Sequence, residues 1–255
     1  MISITDRHQL ILQKLKEHGH VSVQELSSEM DVSDVTIRKD LKLLEDKNLL
    51  FRTHGGGSVK NPYANDRPVN EKEQLYREEK QRIAKEAAKM IGQNDSIIIA
   101  SGTTVLALAR CINPLSHLTV ITSALNVALE LSHRPNVEVL QLGGQLRQNS
   151  SSVAGPYAEE LLKDVTCGVL FLGVDGIDPE TGLTTTSLME ARLNQKMMDA
   201  AQVTVVLADS SKFGKRGLGK ICSLDKIQHI ITDSGISGSM KSVLEESGIK
   251  VTIAE

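Results

Sequence analysis

The chain has 255 residues, 40% of them hydrophobic and 24% charged, with a formal net charge of -3, no Trp and 2% aromatics. This is the make-up of a folded globular chain of one or two domains with aliphatic cores, and it excludes both a disordered polyelectrolyte and a strong non-specific polycation. No apolar run reaches the roughly 18–20 residues that cross a bilayer, the N-terminal MISITDRHQL lacks the apolar core of a signal peptide, and Cys111, Cys167 and Cys222 are odd in number and lack metal-ligand spacing. A reduced, cytoplasmic protein with no membrane span, metal or cofactor is expected.

In chain order, residues 6–18 read as a helix with Ile11, Leu12 and Leu15 on one face, Asp6 as cap and Gly19 as stop. Residues 21–23 read as a short strand. A short helix carrying Leu26 and Met30 follows, then the turn Asp31-Val32-Ser33. Ser33 is placed to cap the next helix, because its hydroxyl can accept an otherwise unpaired N–H of the first turn. Ile37, Leu41 and Leu44 fall at i, i+4, i+7 and form one apolar stripe. Val35, Arg38, Lys39 and Lys42 fall on another face, so three cations point together away from the core. Two helices joined by a tight turn, the second polar on one face, fit either a helix-turn-helix or a plain amphipathic hairpin of a larger α/β protein. Residues 49–57 then read as a β-hairpin wing. Arg52 and His54 alternate outward, and Gly55, Gly56 and Gly57 permit a turn or a close approach to phosphate. Residues 33–60 hold six basic and four acidic residues, so the basic character is local to this helix and wing.

Residues 60–70, KNPYANDRPVN, carry two prolines, three asparagines and no periodicity, and read as a linker. Residues 71–91 read as one long charged helix with Ile83, Ala84, Ala87, Ala88 and Ile91 inward. Beyond it the texture alternates. Strand-like runs at 96–100, 118–122, 137–142, 168–172, 203–207, 229–232 and 250–254 are Val-, Ile- and Leu-rich at consecutive positions, as in strands buried on both faces. Helical segments at 104–111, 124–132, 156–163, 188–201 and 239–246 separate most of them. This predicts an α/β domain with a largely parallel sheet. In such sheets ligands bind beyond the carboxyl ends of the strands. Those ends carry Ser101-Gly102-Thr103-Thr104, then Thr122-Ser123, Gly143-Gly144, Gly173-Val174-Asp175-Gly176 and Asp209-Ser210-Ser211-Lys212. Small hydroxyl residues and glycine opening a helix form an anion cradle from free N–H groups and the positive end of the helix dipole. Each loop taken alone also reads as an ordinary turn or cap; five of them on one sheet edge favour a phosphorylated ligand.

The run VSxxTIRKDLxxLE followed by RTHGGG resembles the DeoR family of bacterial transcription regulators, whose first sixty or so residues form a winged helix-turn-helix. Ser33, Val35, Thr36, Arg38 and Lys39 match that family's recognition helix, and Arg52, His54, Gly55 and Gly56 match its wing; Gly57 stands where Ala is common. Residues from about 80 to 233, with SGTT, LGG, FLGVDGI, GLT and ADSSKFG, resemble the family's effector domain, which is similar in fold to ribose-5-phosphate isomerase and binds phosphorylated sugars. The resemblance implies a winged helix-turn-helix over 1–59, a linker over 60–70 and an effector-binding and oligomerisation domain over 71–255. It implies Ser101, Gly102, Thr103 and Thr104 around the phosphate, Asp175 accepting sugar hydroxyls, Lys212 neutralising charge, and Ser123, Gly143 and Gly144 on the same sheet edge. The expected partners are operator DNA, a phosphorylated sugar and further copies of the chain in a homodimer or homotetramer, and the expected role is a repressor of a carbohydrate operon. Two positions depart from the family pattern: Ala100 replaces a common Asp, and Ser123 a common Asn. Both are expected near the pocket and to alter effector choice or affinity.

Two other readings use the same residues. An isomerase-like enzyme would need a general base; Asp175, Glu190, Lys196 and Asp209 are available, but Gly176 stands where the isomerase motif has a second carboxylate, so no catalytic residues are assigned. A scaffold that only oligomerises would not need five polar loops.

Overall fold

The computed structural model describes residues 2–47, 49–53, 55–58, 65–92 and 96–255. The chain divides into two compact units, residues 1–64 and 65–255. The first holds α1 (Ile4–His18), β1 (His20–Ser22), α2 (Val23–Met30), α3 (Asp34–Asp46), β2 (Phe51–Thr53) and β3 (Gly56–Ser58). Its core is aliphatic: Ile11, Leu15, Leu26, Met30, Ile37, Leu41, Leu44 and Leu50 are buried together. β3 pairs antiparallel with both β1 and β2, so the wing and the short strand expected near 21–23 form one small sheet. That strand starts at His20 and stops at Ser22, because Ser22 turns into the cap of α2 and accepts the Glu25 amide. The cap of α1 is Ser3, not Asp6. The Asp6 amide donates to Ser3 Oγ while Ser3 donates to Asp6 Oδ2 at 2.6 Å, a reciprocal arrangement that satisfies first-turn donors. α3 also buries Asp40, which takes Nε and an NH2 of Arg7 at 2.7 and 3.1 Å and faces His8 at 3.2 Å.

The second unit opens with α4 (Val69–Gln74) and α5 (Arg77–Ala88), followed by β4 (Ser96–Ile99), α6 (Thr103–Cys111), β5 (Leu118–Thr122), α7 (Leu125–Leu131), β6 (Val137–Gln141), β7 (Gln145–Arg147), β8 (Ser152–Ala154) and α8 (Pro156–Leu161). It continues with β9 (Cys167–Gly173), β10 (Gly176–Asp178), β11 (Gly182–Thr185), α9 (Leu188–Asp199), β12 (Ala201–Leu207), β13 (Gly219–Cys222), β14 (His229–Asp233), α10 (Gly238–Glu246) and β15 (Lys250–Ala254). The seven strands read from the sequence form one parallel sheet in the order β15-β14-β12-β9-β4-β5-β6. Alternate residues serve opposite faces: Ile97, Ile99, Phe171 and Leu207 pack against α5, α6 and α7, while Ile98, Leu170, Leu172 and Val206 pack with α8, α9 and α10. Two small antiparallel sheets, β7-β8 and β10-β11-β13, sit outside the runs of consecutive apolar residues that mark the main sheet.

The single helix expected over 71–91 is two. Leu75 is extended and Tyr76 adopts φ 54°, a left-handed conformation costly for a bulky side chain, and this breaks the helix axis between α4 and α5. The break is held from within, because the buried Lys80 ammonium donates to the Lys72 carbonyl in the last turn of α4, which also accepts the Leu75 amide. Residues 65–70 lie in the second unit, although the sequence reads as linker there. Val69 is the first residue of α4 and its amide donates to the Asn149 carbonyl at 2.7 Å.

Candidate functional site

Two sites are built from these units. On the first, Ser33 caps α3 as expected: its Oγ accepts the Thr36 amide at 3.3 Å and lies 3.0 Å from Thr36 Oγ1. Ile37, Leu41 and Leu44 face the core, which turns Val35, Arg38, Lys39 and Lys42 to solvent. Among the described residues, Arg38, Lys39 and Lys42 have no ion-pair partner within 4.0 Å, so α3 presents three uncompensated cations beside an apolar Val35 that is 61% exposed. The wing forms the expected hairpin with Arg52 exposed, and its contacts add what the sequence reading lacks. Arg52 is engaged by Glu45 of α3, which accepts from the Arg52 amide at 2.9 Å and from its Nε at 2.7 Å. Gly56 is needed by the sheet, since a Cβ there would lie 1.7 Å from the Val21 carbonyl oxygen; Gly57 is buried against Leu41 and Leu50. Gly55 has open space where a side chain would stand. His54 lies outside the described residues.

On the second unit, a small cleft opens at the carboxyl ends of β4 and β9. Ser101, Gly102, Thr103 and Thr104 line it together with Asp175 and Lys212, so these six expected residues are brought together. The first four open α6. Gly102, at φ 133°, is its N-cap, and no side chain there accepts a backbone N–H, which leaves first-turn amides and the dipole end for an anion. Ser123, Gly143 and Gly144 do not line the cleft. Ser123 is buried and its carbonyl accepts the Val153 amide. Gly144, at φ 146°, lets β7 pass β8, as a Cβ would meet the Ala154 carbonyl oxygen at 2.6 Å. Ala100 is also absent from the lining and packs in the apolar cluster with Ile98 and Leu172. Neither of the two departures from the family pattern touches the cleft directly.

Of the opposite wall the sequence offered only Glu190, as an available base. Asp66, Val69 and Lys72 line the cleft, as do Asn149, Thr185, Thr186, Glu190 and Asn194. Lys72 Nζ donates to Asp175 Oδ1 at 2.9 Å, and Asp175 Oδ2 accepts from Thr185 Oγ1 and the Thr186 amide at 3.0 and 3.2 Å. Burial works against ionisation of Asp175, but the Lys72 and Lys212 charges and these hydrogen bonds outweigh it and hold its carboxyl below the ordinary range. Asp66 is held low in the same way: burial is opposed by hydrogen bonds from Asn149 and Thr186 and by the Arg147 charge. Lys80 lies behind this wall, and its burial pushes the ammonium down to about 8 despite the nearby Asp209. Glu190, 6% exposed, accepts from Ser152 Oγ at 3.1 Å and faces Arg147 at 3.4 Å. These residues carry no spacing motif. The one available signal was charge in a segment otherwise read as linker, Asp66 among prolines and asparagines. Among the described residues no cluster of His, Cys, Asp or Glu could hold a metal ion, and no helix is long and apolar enough to cross a membrane.

Residues 7–62 match the DeoR-like helix-turn-helix domain and residues 76–234 match the DeoR C-terminal sensor domain. A protein of Escherichia coli O157:H7, provisionally named as an aga operon transcriptional repressor, is 36% identical over 251 residues, spanning 98% of this chain and 93% of that protein. The glycerol-3-phosphate regulon repressor of Escherichia coli K12 is 29% identical over 249 residues, 98% of each. Solved structures give a looser likeness: ribose 5-phosphate isomerase A from Neisseria gonorrhoeae aligns with a TM-score of 0.39 and 16% identity, over 57% of this chain and 55% of that one. With both halves matched in their proper order, the chain belongs to the DeoR family of transcriptional regulators.

Proposed function

We propose that the chain is a sequence-specific repressor of a carbohydrate operon, acting in the cytoplasm, whose second unit senses a phosphorylated sugar. The observation that carries the DNA-binding half is α3: Arg38, Lys39 and Lys42 are exposed and uncompensated on a helix whose other face is core. A helix of this width enters the major groove, where cations reach phosphates and base edges. Ser33, Val35, Thr36, Arg38 and Lys39 form the contact face. Arg52, Gly55 and Gly56 belong to the wing, with Gly56 acting through the β-sheet, and His54 joins this contact set by its place in the sequence motif. The cleft supports the sensing half: the Ser101–Thr104 loop takes the phosphate at the N-terminus of α6, Lys212 supplies charge, and Asp175 accepts hydroxyls. The named specificity of two relatives, the aga operon and the glycerol-3-phosphate regulon, accords with control of carbon use.

Binding as a dimer or tetramer would double the contacts on a two-fold operator. Catalysis fits the cleft poorly. Asp175 is ionised and has protein donors on both oxygens, which suits a hydroxyl acceptor better than a proton-abstracting base. The test is selection of binding sites from a random duplex pool with the full chain, followed by competition with sugar phosphates. Enrichment of one palindromic site whose occupancy a sugar phosphate changes is the expected result. Failure to enrich any sequence, or turnover of ribose 5-phosphate by the same preparation, would contradict it.

A further inference from the structure

Residues 65–74 are tied across the cleft by contacts that are distant in sequence. Asp66 accepts from Arg147 at 3.0 and 3.1 Å, from Asn149 Nδ2 at 3.0 Å and from Thr186 Oγ1 at 3.0 Å. The Val69 amide and Lys72 Nζ add the bonds to Asn149 and Asp175. Six residues of chain, 59–64, separate this strap from β3, the last strand of the helix-turn-helix unit. The strap and its partners Asn149, Asp175 and Thr186 all line the cleft, so the segment forms a wall of the site as well as a lead-in to the second unit.

We propose that this strap is the ligand-responsive part of the site, and that Lys72 exchanges Asp175 for the phosphate of an effector. The inference rests on the reading of the cleft as a phosphorylated-sugar site. Asp175 Oδ2 is occupied by Thr185 and Thr186, whereas Oδ1 is held by Lys72. A sugar hydroxyl that reaches Asp175 must share Oδ1 with that ammonium and so competes with it. A phosphate at Ser101–Thr104, on the same cleft, offers the ammonium a dianion in place of a monoanion. A lysine has a flexible four-carbon stem and three donors, so it can change partners with its charge satisfied throughout. The second tie is coupled to the first. The single proton of Thr186 Oγ1 is shared between Asp66 at 3.0 Å and Asp175 at 3.4 Å, so a change at Asp175 is felt at Asp66. Effector occupancy thereby re-anchors the stretch of chain that leads to the DNA-binding unit.

The test is amide hydrogen exchange on the full chain with and without inorganic phosphate, in wild type, Lys72→Gln and Lys72→Arg. Phosphate is expected to slow exchange at residues 102–106 and also to change exchange at 65–75. Lys72→Gln should weaken phosphate binding about tenfold, the scale of one charge-assisted hydrogen bond, and abolish the response at 65–75; Lys72→Arg should restore binding by charge. If phosphate protects 102–106 while 65–75 is unchanged and Lys72→Gln binds as wild type does, the strap proposal is wrong and the cleft reading stands. If saturating phosphate leaves 102–106 unprotected, the cleft reading itself fails, and the strap proposal with it.

Discussion

Arg52 in the wing is bound to Glu45 of α3 through both its backbone amide and its guanidinium, at 2.9 and 2.7 Å. The pair fixes β2 against the helix that precedes it and neutralises the wing's cation before any DNA arrives. Arg38 and Lys39 are exposed without such a partner. Arg38→Ala and Lys39→Ala should therefore each weaken operator binding, and each should lower the slope of log K against log salt by about one where it meets a phosphate. Arg52→Ala should lower it by less, because the Arg52 guanidinium is already paired with Glu45 at 2.7 Å. Titrations at several salt concentrations check this, and equal slopes for Arg38→Ala and wild type would place the wrong face on DNA.

Gly56 and Gly55 stand side by side with opposite demands. At Gly56 a Cβ would lie 1.7 Å from the Val21 carbonyl oxygen, so Gly56→Ala must separate β1 from β3 and should destabilise the first unit by roughly 3 kcal/mol or more. At Gly55 the space is open, and Gly55→Ala should melt within about 0.5 kcal/mol of wild type. Thermal melts of the two variants decide the point; a mild Gly56→Ala would mean that the small sheet is not held as described.

Lys80 makes a pH-dependent contribution whose sign is fixed by its environment. Burial lowers its pKa in the folded chain to about 8, against an ordinary 10.5. Between those values the unfolded chain holds a proton that the folded chain has released, so this group makes stability rise with pH over that window, and below about 8 it contributes no slope. Wild type should gain on Lys80→Met by up to about 3 kcal/mol between pH 8 and 10.5, as 1.36 kcal/mol per pKa unit implies. Parallel melting-temperature profiles for the two proteins would show that the ammonium is not buried as found.

Much of this was legible in the sequence where a local rule applied. Ser33 announced α3, the spacing of Ile37, Leu41 and Leu44 gave its buried face, and consecutive Val, Ile and Leu marked the seven strands of the parallel sheet. Ser101–Thr104, Asp175 and Lys212 were found because ligands collect at strand carboxyl ends. What was missed depends on distant partners. Asp66 and Thr186 are 120 residues apart, and no periodicity links them. The Tyr76 break depends on Lys80 reaching the Lys72 carbonyl, a tertiary event inside a pattern that is otherwise helical. Gly144 and Ser123 sit at strand ends like true site residues, yet both neighbour β8.

Discrimination of phosphorylated sugars from their parents by the cleft is read from the melting temperature of the full chain against a panel of both. A ligand that binds only the folded state, at about a hundredfold over its dissociation constant, adds roughly 2.7 kcal/mol, enough for a shift of several degrees. At least one phosphorylated sugar is expected to raise the melting temperature, its unphosphorylated parent is not, and Lys212→Ala is expected to remove the shift. Equal shifts from sugar and sugar phosphate, or a shift that survives Lys212→Ala unchanged, would contradict that discrimination.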